Sequence, residues 1–162
     1  MLSGRLVHLI EAHWQDVVSR VITRIHRDPE LSHYRATVEA DLREWGQVLL
    51  RNLGHWLTAG KEDEISHNYE HLGKLRFQDG IPLHESVRCL ALVRECVLDF
   101  VEEHIDSKTT LLLYEEEELD RRLGRFFDVL IIHMVKGYED ALRNSVSAIA
   151  TSAGSRGSRG SA

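Results

Sequence analysis

Proline is nearly absent from this chain, which has only Pro29 and Pro82 among its 162 residues. Proline interrupts helices, so its scarcity, together with abundant Leu, Glu, Arg and Val, favours long helices over a turn-rich β fold. The length fits one domain, and the apolar content of 43% is sufficient for a hydrophobic core.

The chain also lacks an excess of positive charge and a long apolar run. Its 26 carboxylates outnumber its 20 Lys and Arg residues, for a formal net charge of −6, whereas a nucleic-acid surface normally carries a basic stripe. No stretch approaches the ~20 apolar residues of a membrane-spanning helix. The short apolar start, interrupted by Arg5 and His8, does not resemble a secretory signal. We therefore expect no nucleic-acid partner and no membrane partner.

Cysteine is equally scarce. Cys89 and Cys96 lie seven positions apart on one predicted helix, a rise of about 10 Å, which is too far for a disulfide. Free cysteines are usually buried, so we expect reduced thiols in the core. Together with the missing secretory signal, they predict a cytoplasmic protein.

Apolar residues recur at steps of three and four along most of the chain, the pattern of amphipathic helices. The pattern predicts an all-α domain over residues 1–150 with about five long helices. These are expected over about residues 3–27, from Val38 to near Gly60, from Lys61 to Gly80, from Pro82 to a break at residues 106–108, and from Thr110 to Leu142. The last is longer than the globular average, and such a helix often extends past its own core.

The composition changes after Ala150. Residues 151–162 consist only of Gly, Ser, Ala, Thr and Arg. Without apolar side chains nothing is expected to order this segment, which we predict to be a disordered tail, the stub of a linker, or an added sequence.

Ten histidines are many for this length and raise the question of a metal site. Glu30 and His33 have the Glu-x-x-His spacing of di-iron bundles, as do Glu64 and His67. Both pairs lie at predicted helix starts, where chance spacing is the better explanation. His67 and His71 share a helical face, but the residues between them are not those of a zinc-protease helix. No nucleophile elbow, phosphate-binding glycine loop or metal-spaced Cys pair occurs, so we predict no metal site and no enzymatic activity.

One segment is more specific than composition. Residues 72–83 read LGKLRFQDGIPL, and Phe126-Phe127-Asp128 and Gly137-Tyr138-Glu139 follow farther on. Together they resemble the N-terminal domain of the RsbR-type stressosome co-antagonists and related input domains of bacterial histidine kinases. The resemblance spans about residues 5–145. It implies a globin-like fold without haem, and a role in a bacterial stress-response or two-component pathway.

Haem-binding sensor globins carry the pattern Ile-Gly-x-x-His-x-x-Ile-Gly-Leu on the helix of the proximal ligand. Aligned on Gly73 and Gly80, the proximal histidine falls on Arg76, whose permanently charged guanidinium cannot ligate iron as imidazole does. His71 lies five residues earlier and points about 140° away, so it could substitute only on a rotated helix. The resemblance therefore predicts no haem.

Arg76 is the predicted ligand-binding residue, with His71 as a second candidate. Haem-free sensor globins imply an anionic ligand at Arg76, such as a fatty-acid carboxylate. The alternative is that Arg76 pairs with Asp79 or with a distant glutamate.

The resemblance further implies a homodimer packed through the last two long helices, with the final helix leading to an output domain or a partner signalling protein. The predicted dimer contact consists of Leu119, Leu123, Phe126, Phe127 and Leu130. Phe126 and Phe127 point about 100° apart and widen the apolar stripe, although both rings could instead fill the core of one chain.

The predicted function is therefore a non-enzymatic signal-input domain. The alternatives are a haem- or metal-based gas or redox sensor, and a scaffold domain that assembles partners and senses nothing.

Overall fold

The computed structural model describes residues 3–37, 39–105 and 109–157, and over these ranges the chain forms eight helices and no strand. They are α1 (Gly4–Ala12), α2 (Trp14–Arg27), α3 (Ser32–Ala36), α4 (Glu39–Leu50), α5 (Leu53–Trp56), α6 (Glu62–Gln78), α7 (Leu83–Glu103) and α8 (Thr110–Gly157). The predicted all-α fold is confirmed. Val38, the predicted break at residues 106–108 and the end of the predicted tail at residues 158–162 lie outside the described residues.

The predicted first helix is divided into α1 and α2. The backbone leaves helical geometry at His13, with φ −116° and ψ 27°. The His13 ring lies with its centre 5.9 Å from that of Phe100 and 6.2 Å from that of His104. The apolar periodicity continues across the break, which is why the pattern predicted one helix. The predicted second helix is likewise divided, into α4 and α5.

The turn between α6 and α7 follows the prediction. Gly80 adopts a positive φ of 72°, which glycine tolerates without steric cost. The Ile81 N–H then donates to the Arg76 carbonyl oxygen at 3.0 Å, closing the end of α6. Pro82 directly precedes α7, where its missing N–H costs no helical hydrogen bond.

The helices α6 and α8 pack together more extensively than any other pair. At their crossing, a Cβ added to Gly73 would run into the backbone carbonyl oxygen of Met134. A Cβ added to Gly137 would run into that of Glu70. The two backbones therefore touch with no side chain between them, a spacing that only glycine permits.

The final helix, α8, continues beyond its own core. Its 48 residues correspond to a length of about 72 Å, and every described side chain from residue 146 to residue 156 is exposed. Residues 151–157, where a disordered tail, the stub of a linker or an added sequence was predicted, continue α8 as helix. In the described ranges, no helix is long and apolar enough to cross a membrane.

Candidate functional site

Arg76 lies on α6 with its side chain half-buried, and its guanidinium carbon is 5.5 Å from the centre of the Tyr34 ring. Among the described residues, no carboxylate lies within ion-pair distance of Arg76. The buried Nε of Arg76 also has no hydrogen-bond partner in this part of the chain. The ion pair with Asp79 or a glutamate, which the sequence left open, is not formed.

The titratable groups around Arg76 do not compensate its charge. Burial raises the pKa of the Cys89 thiol to about 12, although the neighbouring guanidinium opposes this rise. Burial also raises the pKa of Tyr34 and of Tyr69. All three groups are neutral at pH 7, so an anion that reached Arg76 would meet an uncompensated positive charge.

The free space beside Arg76 is small. Its volume is about 10 Å³, close to the minimum for a single water molecule. The walls include Trp45, Leu72, Ser86 and Met134. These residues do not fit a haem group at this position, because the planar macrocycle has no space and Arg76 offers no ligand to iron.

His71 lies on a different side of α6, is exposed, and lines a separate cavity. The structure therefore does not bring the two predicted ligand-binding residues together. Trp45 and Leu72 line both spaces and lie between them. The separation agrees with the offset of about 140° expected for residues five positions apart on one helix.

The cavity at His71 has a volume of about 230 Å³ and is formed by α4, α5 and α6. Its walls include the aromatic rings of Trp45, Trp56 and Tyr69. The Trp56 indole N–H donates to the Val48 carbonyl oxygen at 3.2 Å, which fixes the orientation of that ring. Of the described residues, none that lines the cavity is Lys, Arg, Asp or Glu. The result is a mostly apolar, partly aromatic cavity.

The five residues predicted to form the dimer contact are buried within the single chain. The exposed fraction is at most 7% for all of them: Leu119, Leu123, Phe126, Phe127 and Leu130. The Phe126 and Phe127 rings pack edge to face with their centres 5.6 Å apart. A side chain enclosed by its own chain cannot meet a second copy, so this assignment was wrong, and the alternative of two core rings is correct.

Sequence reasoning missed a contact between the N-terminal segment and α8. Arg5 pairs with the buried Glu115 at 2.9 Å, and the Ser3 backbone N–H donates to Glu118 at 2.6 Å. These partners are more than a hundred residues apart, and no local spacing relates them. Two glutamates at the start of α8 therefore bind the N-terminal segment of the chain.

Sequence reasoning also missed Glu85, which lies in the first turn of α7 and is only 2% exposed. Its carboxylate accepts hydrogen bonds from the His33 backbone N–H at 3.0 Å and the Ser32 hydroxyl at 3.2 Å, and contacts His33 Nδ1 at 2.8 Å. Burial alone would raise the pKa of Glu85, but these contacts outweigh it and lower the pKa below its ordinary range. Glu85 thereby fastens α3 to α7.

Within the described residues, no group of three or more His, Cys, Asp and Glu side chains could hold a metal ion. Comparison of the chain with family models, with curated proteins and with solved structures gives no match. Gly73 and Gly137 belong to the segments quoted for the resemblance. The close packing of α6 against α8 explains why both positions are glycine.

Proposed function

We propose that this chain is a non-enzymatic signal-input domain that acts as a homodimer and transmits its signal through α8. The observation that supports this most is the departure of α8 from its own core. Met134 is the last residue of α8 whose side chain is almost fully buried. The stretch of α8 in which every side chain is exposed, residues 146–156, corresponds to about 16 Å of helix. An isolated helix of that length is marginally stable in water, so a second copy would supply its packing.

A row of apolar side chains along α8 from Ile132 onward, which we call the outer seam, supports the same proposal. It consists of Ile132, Val135, Leu142, Val146 and Ile149. Four of these are between 46% and 68% exposed in the single chain. Their separations of three, four and seven residues match the spacing by which paired helices bury a common seam. The proposed dimer contact thus moves from the buried residues of α8 to a neighbouring face.

We expect the double substitution Leu142→Glu with Val146→Glu to convert a micromolar dimer into a monomer, because two buried carboxylates would repel across the seam. Sedimentation velocity measures the change in mass. The matched control is Asn144→Glu with Ala148→Glu, which adds the same charges at the same spacing about 160° around the helix and should leave the dimer intact. A monomeric unsubstituted chain would contradict the proposal.

The positive charge of Arg76 supports an anionic group as the signal. That group is either a small anion or the carboxylate of a larger apolar molecule. The space beside it admits little more than one water, so the anion would enter only as Trp45 or Leu72 moves. Arg76 lies three residues after Gly73, where α6 touches the backbone of α8. Displacing Arg76 would therefore shift α6 against α8, and α8 would carry that shift to an output domain or a partner signalling protein.

A haem-based sensor is the first alternative, and absorbance distinguishes it. We expect titration with hemin to give no saturable one-to-one complex, because Arg76 offers no iron ligand and the space beside it is filled. A six-coordinate spectrum that is lost in the His71→Ala variant would contradict this and assign the ligand to His71. A scaffold domain, the second alternative, would dimerise without any ligand-dependent rise in melting temperature.

A further inference from the structure

We propose that the cavity between α4, α5 and α6 is a second binding site, separate from Arg76, and that it takes a small uncharged aromatic molecule. This inference does not rest on the proposed function, because a cavity within one chain can bind its ligand whether or not the chain dimerises. It rests on the lining of the cavity, its volume and its mouth.

The lining favours a flat aromatic ligand. Trp45, Trp56 and Tyr69 contribute three of the ten described residues that line the cavity. Aromatic rings that pack edge to face or offset attract each other beyond the effect of the apolar area they bury. The hydrogen bond of Trp56 to the Val48 carbonyl oxygen holds one of these rings in place before a ligand arrives. A preformed aromatic wall lowers the ordering cost of binding.

The charges around the cavity favour an uncharged ligand. The lining contains no Lys, Arg, Asp or Glu among the described residues, so a charged ligand would lose its hydration without gaining an ion pair. Asn68 and His71, both exposed, are polar groups at the edge that can hydrogen-bond one ring N–H or hydroxyl. The Tyr69 hydroxyl is neutral at pH 7 like any tyrosine, and burial raises its pKa further.

The volume of the cavity limits the size of the ligand, and the opening of the cavity gives the ligand its entry path. At about 230 Å³, the cavity is below the ~300–1,000 Å³ of sites for drug-sized ligands, which fits one ring or two fused rings. Val48 and Leu75 also line it, and they are 55% and 38% exposed. Both therefore reach from the cavity to solvent and mark an open apolar edge through which a neutral ring can enter.

A series of probes with one ring system and different charges tests the proposal on the full chain. We expect indole to bind with one-to-one stoichiometry in isothermal titration calorimetry, and indole-3-acetate and tryptamine to bind about tenfold more weakly or worse. Absence of saturable indole binding would overturn the proposal. Equal binding of a charged probe would overturn the ligand class. Tighter binding of indole-3-acetate that is lost in Arg76→Met would assign the ligand to Arg76 instead.

A substitution at the mouth tests the location. Leu75→Trp places a large ring at the opening and should weaken indole binding about tenfold or more. Leu113→Trp is the matched control, because Leu113 is 49% exposed on α8, does not line this cavity, and should leave binding unchanged. Circular dichroism establishes that both variants fold. If Leu75→Trp leaves indole binding intact, indole does not bind in this cavity and the proposal fails. If Leu75→Trp leaves binding intact and also changes the sedimenting mass, the opening is a protein contact.

Discussion

Replacing Gly137 by alanine is expected to lower the free energy of unfolding by about 3 kcal/mol. The added methyl group would overlap the backbone carbonyl oxygen of Glu70, so no side-chain rotation can relieve the clash. The two helices would have to separate along the most extensive contact of the fold. Inside a helix, alanine is usually more favourable than glycine by about 1 kcal/mol. Helix propensity alone would therefore predict that Gly137→Ala stabilises the chain, whereas we expect destabilisation. Urea denaturation followed by circular dichroism measures it.

Two other glycines of α8 provide controls within the same helix. A Cβ at Gly124 would lie at an ordinary 3.5 Å from the flexible Arg94 side chain, and a Cβ at Gly154 would meet nothing within 4 Å. Alanine at either position should leave stability unchanged or raise it by up to ~1 kcal/mol. Gly73→Ala should resemble Gly137→Ala, and the double variant should cost less than the sum, because both changes open one crossing. Equal stabilities of the Gly137 and Gly124 variants would contradict the close crossing.

The crossing of α6 and α8 also bears on the proposed transmission of a signal to α8. Gly73 and Gly137 belong to two of the quoted segments, and in the structure they bring the backbones of α6 and α8 into contact. We propose that a movement of α6 at this contact displaces α8, because no compressible side chain lies between the two backbones. Gly137→Ala therefore also serves to test whether the proposed signal passes from Arg76 to α8.

Local features of the fold were predictable from the sequence. Gly80 and Pro82 mark the turn between α6 and α7, because positive φ and a missing N–H act on their own neighbourhood. The break at His13 was not predictable, since the apolar stripe continues through it and the contacts that accompany it, with Phe100 and His104, come from a distant helix.

Periodicity identifies apolar faces but not what covers them. Phe126 and Phe127 were predicted to meet a second copy, yet their own chain encloses both rings. The exposed outer seam lies farther along the same helix, where Leu142, Val146 and Ile149 follow the same spacing. These two stretches of α8 have the same spacing and differ in whether other helices pack over them. At the candidate site, likewise, the local sequence does not show that no described carboxylate pairs with Arg76.

Glu85 shows most clearly how a decisive residue can go unnoticed, because a glutamate in the first turn of a helix is ordinary. Its partners, Ser32 and His33, lie more than fifty residues earlier. We expect Glu85→Ala to lower the free energy of unfolding at pH 7 by about 3 kcal/mol, because it leaves the His33 backbone N–H without its buried acceptor. Glu95→Ala on the same helix is the control. The ion pair of Glu95 with Arg24 is exposed, and its loss should cost less than about 1 kcal/mol.

The pH dependence of Glu85→Gln separates the charge of this carboxylate from its shape. The pKa of Glu85 is lower in the folded chain than in the unfolded chain. Its stabilisation is therefore fully present above the unfolded value of about 4.3 and is lost as the pH falls through the folded value. Urea denaturation at pH 7, 5, 4 and 3 should accordingly give a stability difference between the unsubstituted chain and Glu85→Gln that is present at pH 7 and 5 and shrinks below pH 4. Carboxylates common to both chains cancel in this difference. A difference that stays constant down to pH 3 would mean that Glu85 acts through packing alone.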